Sequence, residues 1–263
     1  MTKENNISAK IHPTALVHPD SVIGSEVEIG PFSIIEENCI IGDGTKIHEH
    51  VTIKPYSTIG KDCQIFQGAV IGGIPQDLKF GGEKSKIIIG DRTRVREYCT
   101  LNRGTEALGK TSIGSDVLLM AYVHIGHDCI VEDNAILANG ISLGGHVEVG
   151  YHAIIGGHTP VHQFCKIGEH AFVGGAYRVV KDIPPFITAT GEPMRFAGLN
   201  SLGLKRRKFS PETRAAIKKA YKVIFRSEYN TSQSIDYINK NLKIIPEITK
   251  ILNFIENSNR GII

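Results

Sequence analysis

A chain of 263 residues, 41% hydrophobic and 22% charged, can bury a large core. It has no apolar run long enough to span a membrane, and its opening stretch, MTKENNISAK, lacks the apolar segment of a signal peptide; the expectation is a cytoplasmic protein with no stable membrane insertion. The net charge of +3 is uneven, with 13 basic against 5 acidic residues from Lys205 onward and 17 against 22 before it, which points to two modules and to an acidic partner for the basic one; no nucleic-acid partner is expected.

From Ile11 an aliphatic residue recurs at every sixth position: Val17, Ile23, Ile29, Ile35, Ile41 and onward to Ile71. The phase resumes at Ile89, Val95 and Leu101, and again from Ile113 to Val179, giving 26 hits in one register. Period six fits neither an amphipathic helix nor simple strand alternation; it fits a short strand and a turn, repeated as a solenoid. The position four after each aliphatic is usually small (Ala15, Ser21, Ser33, Ala69, Ala135), and both positions read as inward-facing. Three hexads close one triangular coil, and coils stack at the strand spacing of about 4.8 Å. Glycines directly after the aliphatic residue, such as Gly24, Gly42 and Gly168, are expected to relieve a tight corner. Cys39, Cys63, Cys99, Cys129 and Cys165 all occupy the small inward position, so buried reduced thiols are expected rather than disulfides or a zinc motif.

The hexads break at 73–86 (GIPQDLKFGGEKSK) and near 104–110 (GTEALGK). Both read as loops leaving the coil; the first is the stronger candidate for function, the second more a tolerated insertion. After KDIPPF at 181–186 the hexads stop. Ser210 and Pro211 then read as N-cap and first helical residue, Ile217, Tyr221, Ile224 and Phe225 have helical spacing, and a second helix starts at Pro246. The expected domains are a β-helix over 1–190 and a small helical domain over 191–263 that covers the solenoid's open end.

Six of the eleven histidines fall between His124 and His162. Positions three hexads apart lie in adjacent coils, so three columns can be written: Gly126, Gly144, His162; His127, Gly145, Gln163; and Asp128, His146, Phe164. All read as outward and together form a patch about 10 Å tall, the size of a small-molecule site, with His124 on the turn before it. A single outward histidine is usually a solvated surface group. Three converging with an aspartate, a glutamine and glycines favour a binding or catalytic site over a solvated or interface patch. His152 and His170 also stack, but with no carboxylate or glycine beside them, and read as structural. On the adjoining face Ala121, Asn139, Gly157 and Gly175 form a column of mostly small residues, which reads either as a groove fit for a linear chain or as a surface suited to packing against another subunit.

The hexads resemble the hexapeptide-repeat acyltransferase superfamily. The motifs IPQDLKF, IGDRTRVREYCTLNRGT, HIGHDC, GGHV, VHQF, DIPPF and GLNSLGLKRRKFS narrow this to a close resemblance, over nearly the whole chain, to the UDP-N-acetylglucosamine 3-O-acyltransferases of lipid A biosynthesis. The resemblance implies a left-handed parallel β-helix followed by a small α-helical C-terminal domain, assembled as a homotrimer with sites between subunits. It implies transfer of a 3-hydroxyacyl group from acyl carrier protein to UDP-N-acetylglucosamine, with no cofactor beyond the carrier's phosphopantetheine and no metal. His127 matches the family's general base, with Asp128 orienting it and the Gly145 N–H receiving the oxyanion. His146 and His162 would bind the sugar and the acyl hydroxyl. Asp77, Lys79, His124, Gln163 and Asn200 match substrate contacts, and Arg206 and Arg207 the nucleotide and phosphopantetheine end. Asn139, Gly157 and Gly175 match the acyl groove. Where the family often has a histidine before RGT, this chain has Asn102, whose role stays open. The N-acyltransferase of the same pathway shares hexads and a catalytic histidine but carries a separate uridine-binding domain before them. A γ-type carbonic anhydrase would need three imidazoles converging on zinc.

Overall fold

The computed structural model describes residues 8–263. Short strands such as Lys10–Ile11, Leu16–Val17 and Val22–Ile23 follow one another around a triangular prism, and each pairs in parallel with the strand one coil on. Its three faces are sheets of 11, 8 and 8 strands. The first carries Ile136–Leu137 and Ile154–Ile155, the second His124–Ile125, Ser142–Leu143 and Pro160–Val161, the third Ile130–Val131, Glu148–Val149 and Lys166–Ile167. The three-hexad register is seen directly in Ile11 paired with Ile29 and Ile125 with Leu143.

Across the first loop Ile59 pairs with Ile89, and across the second Ile89 pairs with Ile113. The first separation is five hexads and the second four, so each exceeds the regular three by a whole number of hexads. That is why the sequence keeps its phase through both interruptions. The aliphatic positions from Ile29 to Val179 are buried, as are Ser33, Thr45 and all five cysteines. Burying each such aliphatic side chain is worth roughly 1.5–3 kcal/mol. Desolvation pushes the Cys99 and Cys129 thiols up to about 12, so they act as small hydrophobes and not as nucleophiles. Ile11, in the first coil, is 44% exposed.

The corners correct one expectation. The left-handed backbone residue comes three after the aliphatic, not one: Glu26, Phe32, Asn38 and His50 have φ between 56° and 59°. Glycine follows the aliphatic because coils nearly touch there. A Cβ on Gly42 would lie 2.6 Å from the backbone of Gly60, and one on Gly168 would lie 2.4 Å from Pro185 N.

Strands Ile187–Thr190 and Arg195–Leu199 extend the first face as a hairpin, and four helices follow: α1 (Ser201–Arg206), α2 (Pro211–Arg226), α3 (Thr231–Asn241) and α4 (Pro246–Glu256). Ser210 caps α2 by accepting from Thr213 N, as its sequence indicates. Leu204, Ile217, Tyr221, Ile251 and Ile255 join the solenoid core, and the Tyr221 hydroxyl donates to Pro185 O. The chain's last residues return to the solenoid, where Asp182 pairs with Ile262 and Ser258 donates to the Asp182 carboxylate.

His170 is buried at this junction, stacked between His152 and Phe186, with Nδ1 lacking a partner among the described residues. Burial, helped by Arg207 and His152, pulls its pKa down to about 3. The unfolded imidazole takes a proton near ~6.5, so the stability owed to a neutral His170 is complete above that value and declines as pH falls toward the folded value. His170→Phe, which keeps a ring where Phe164 and Phe186 also hold positive φ, should lose less melting temperature than the wild type between about pH 7 and pH 5 in thermal melts. Parallel curves would count against a buried neutral imidazole.

Candidate active site

The second and third faces meet at an edge built from residues 126–129, 144–147 and 162–165. Stacking there is direct: His146 N donates to His127 O and Phe164 N to Gly145 O, both at 3.0 Å. His127 projects from the edge and its Nδ1 lies 2.8 Å from Asp128 Oδ2. An ionised carboxylate only accepts, so Nδ1 carries the hydrogen and Nε2 keeps a free lone pair. Gly145 sits over that ring: a Cβ there would lie 2.6 Å from His127 Cε1 and Nε2. Any side chain at 145 would therefore displace the imidazole. The Gly145 N–H has no acceptor among the described residues.

Asp128 does not face outward as the columns imply. Its side chain is 0% exposed, against 14% for His127 and 20% for His146. The second loop covers it: Thr105 N donates to both carboxylate oxygens (3.0 and 3.2 Å), Thr105 Oγ1 donates to Oδ2 (2.6 Å) and Leu108 N to Oδ1 (3.3 Å). Burial alone would raise the Asp128 pKa; the bonds from Thr105 and His127, with His146 nearby, outweigh it and hold the carboxyl below the usual range. The loop at 104–110 is thus part of the site and not a tolerated insertion. The sequence signal was the threonine of RGT, beside the break in the hexads.

Two cavities flank His127. One, of about 520 Å³, lies on the second face and brings together His124, His127, Gly145, His162 and Gln163, with Asn102 at its far end. His124 stands on a strand, not a turn, with Nδ1 2.8 Å from Thr100 Oγ1, and burial lowers its pKa. His162 Nδ1 donates to Gln163 O, leaving Nε2 as an acceptor. The other cavity, about 710 Å³, lies under the first loop and adds Asp77, Lys79, Gln76 and Phe80 to His127, His146 and Phe164. His146 is stacked on Phe164 at 4.6 Å and lies edge-on to His127.

The remaining predicted residues are elsewhere. Arg207 donates to His152 O and Asn200 Nδ2 to His170 O, which places them, with Arg206 at the end of α1, along the edge between the third and first faces. Asn200 also caps α1. Asn139, Gly157 and Gly175 line the edge between the first and second faces, where the Gly175 Cβ position is 3.0 Å from Gly157 O. Within one chain the three groups occupy three different edges, and one hexad of extended chain from edge to edge is about 20 Å.

An imidazole with a fixed tautomer beside an open backbone N–H, mounted on hexapeptide coils, is an arrangement that could serve acyl transfer, and the class it points to is a hexapeptide-repeat acyltransferase. Residues 110–140 match the bacterial transferase hexapeptide family, residues 182–263 the family described as UDP-N-acetylglucosamine O-acyltransferase, domain 2, and residues 5–108 the GMPPB C-terminal domain. The chain is 46% identical to the acyl-[acyl-carrier-protein]--UDP-N-acetylglucosamine O-acyltransferase of Thiobacillus denitrificans, over 97% of this chain and 99% of that one. The crystal structure of LpxA, a UDP-N-acetylglucosamine acyltransferase from Bacteroides fragilis, superposes with a TM-score of 0.95 at 44% identity, covering 96% of this chain and 99% of the other. LpxA from Acinetobacter baumannii gives 0.94 at 42%, with the same coverage. The chain belongs to the acyl-[acyl-carrier-protein]--UDP-N-acetylglucosamine O-acyltransferase family, and its fold is the left-handed parallel β-helix with a helical C-terminal part.

Gly145→Ala should fold with an unchanged melting temperature yet lose at least ~100-fold in turnover, because the added methyl occupies the imidazole's place. Turnover within a few-fold of wild type would show that His127 does not need that position.

Proposed function

We propose that this chain carries out the first step of lipid A biosynthesis: it transfers a 3-hydroxyacyl group from the phosphopantetheine thioester of acyl carrier protein to the glucosamine 3-position of UDP-N-acetylglucosamine. The observation that carries the mechanism is the alignment of Asp128 and His127 on one coil with the Gly145 amide on the next. His127 Nε2 takes the proton of the sugar hydroxyl as its oxygen attacks the thioester carbonyl. The carbonyl oxygen gains the negative charge and accepts from the Gly145 N–H. Asp128, already ionised and buried, stabilises the imidazolium as it forms. The intermediate expels the thiolate, which takes the proton back from His127.

His146 and His162 bind the sugar and the acyl hydroxyl in this reading; Asp77, Lys79, His124 and Gln163 hold the remaining polar groups of the substrates. The edge of Asn139, Gly157 and Gly175, bare of side chains at its glycines, takes the acyl chain. Arg206 and Arg207 meet the nucleotide and the phosphopantetheine end, where the basic C-terminal part faces an acidic carrier protein. Three such edges serve one substrate pair only if another copy of the chain supplies those missing from the His127 edge, and a homotrimer does this. The reaction belongs to the cytoplasm, and no described helix is long and apolar enough to cross a membrane.

A metal-dependent reading has one observation in its favour: ligand atoms of His127, Asp128 and His146 lie within 4.8 Å of one another. A γ-type carbonic anhydrase needs three imidazoles, however, and this carboxylate is already engaged by Thr105, Leu108 and His127. Elemental analysis of purified protein is expected to find substoichiometric zinc; one zinc per site would favour the anhydrase.

His127→Ala should lose at least ~100-fold in acyl transfer to UDP-N-acetylglucosamine while keeping its fold. The double variant Arg206→Ala, Arg207→Ala should also be inactive, but trimers co-assembled from the two variants should recover activity, since some interfaces then hold one intact set. Near-wild-type turnover of His127→Ala would remove the base assignment, and no recovery in mixed trimers would remove the shared site.

A further inference from the structure

The two loops that interrupt the hexads are locked to each other through one short run of chain. Asn102 Nδ2 donates to Ile74 O, Arg103 N to Gly73 O and Gly104 N to Lys86 O, each at 3.0 Å, so both ends of the 73–86 loop are tied to one segment. The Arg103 guanidinium lies over the rings of Phe80 (5.4 Å) and Tyr56 (5.7 Å). Lys86 N donates to Gly109 O, and Glu106 N to Glu83 Oε1. Gly104 is enclosed so closely that a Cβ would lie 2.4 Å from Lys110 N. The segment therefore has little freedom, and the next residue, Thr105, is delivered to a fixed place.

That place is the Asp128 carboxylate. Thr105 is 7% exposed. Its hydroxyl accepts from Ala107 N (3.2 Å) and gives its only hydrogen to Asp128 Oδ2 (2.6 Å), the same oxygen that accepts from His127 Nδ1. Bonds of this kind to a charged oxygen are short and directional. With Leu108 N on Oδ1, the carboxylate cannot rotate without breaking a bond to Thr105. The direction of Oδ2 fixes the plane of the imidazole, and that plane fixes where Nε2 points.

We infer that Thr105 is a positioning residue: its hydroxyl holds the Asp128 carboxylate in the one orientation that keeps His127 in register with Gly145. The inference rests on the reading of His127 as the base. Thr105→Val keeps the β-branched shape and the backbone donor and removes only the hydroxyl hydrogen bonds; Thr105→Ser restores the hydroxyl. In the full-length assembled protein, Thr105→Val should lower kcat about 10- to 100-fold, the worth of one hydrogen bond to a charged group. KM for UDP-N-acetylglucosamine should stay within twofold, and Thr105→Ser should return most of the rate. The low-field proton resonance of His127 Nδ1–H, assigned by its loss in His127→Ala, should shift or broaden in Thr105→Val and return in Thr105→Ser. If valine does not fit, Thr105→Ala makes the same test. A Thr105→Val enzyme with wild-type kcat and an unmoved resonance would overturn the inference, as would a loss of rate that Thr105→Ser does not restore. Should His127→Ala itself stay active, the base reading fails instead, and the two failures are thereby distinguished.

Discussion

The constraint on which everything else depends is the length of one coil. Such short parallel strands hold each other by few backbone bonds, so register is specified by burying one aliphatic and one small residue in every hexad. A slip of one residue would turn the Ile125–Leu143 layer outward and the flanking polar residues inward. With three hexads to a coil, groups distant in sequence are brought to within one strand spacing, and the Gly145 backbone is laid over the His127 ring. The loops obey the same rule. The pairings of Ile59 with Ile89 and of Ile89 with Ile113 show the chain leaving and rejoining the coil in phase, so the loops add chemistry at the edge without disturbing the core.

What could be read from the sequence was what repeats. The inward aliphatics, the small partners, the buried cysteines and the columns around His127 all follow from counting in hexads and in threes of hexads. The corner geometry was harder because two demands fall on neighbouring positions. The left-handed residue tolerates Glu26, Phe32 and His50, so it leaves no glycine signature. The glycines that are visible answer to a different force, the near-contact of successive coils. In the C-terminal part, α2 and α4 announce themselves by spacing and by Pro211 and Pro246. α3, as long as α4, has a sparser apolar face, and its clearest mark is the Asn230–Gln233 capping box. The Ile187–Leu199 hairpin begins where the hexads end, so no periodic signal marks it.

The site divides along the same line. His127, Gly145, His146, His162 and Gln163 were legible because they sit on columns, and the cavities gather them together with His124, which the hexad count placed on a turn and the structure places on a strand. Thr105 reaches Asp128 across 23 positions, a spacing that belongs to no repeat. Column counting therefore put Asp128 on the surface, when the aperiodic loop had in fact buried it. Nonperiodic contacts of this kind are written into no local pattern; they follow from where a loop returns, and that depends on side chains such as Asn102 and Arg103 whose partners are also in loops.

The burial of Asp128 explains why the loop is needed at all. A carboxylate removed from water without partners would be destabilised and would tend to take up a proton, and a protonated Asp128 could not hold the His127 imidazolium. Here donors from Thr105, Leu108 and His127 replace the lost water, which keeps the group ionised while still shielding it. Shielding strengthens the pairing with a protonated His127 compared with the same pair in solvent. An exposed aspartate at the same column position would orient the ring less firmly and stabilise its positive charge less. The second loop thus converts a surface corner of a regular solenoid into a low-dielectric site, and does so by a single extra hexad inserted in phase.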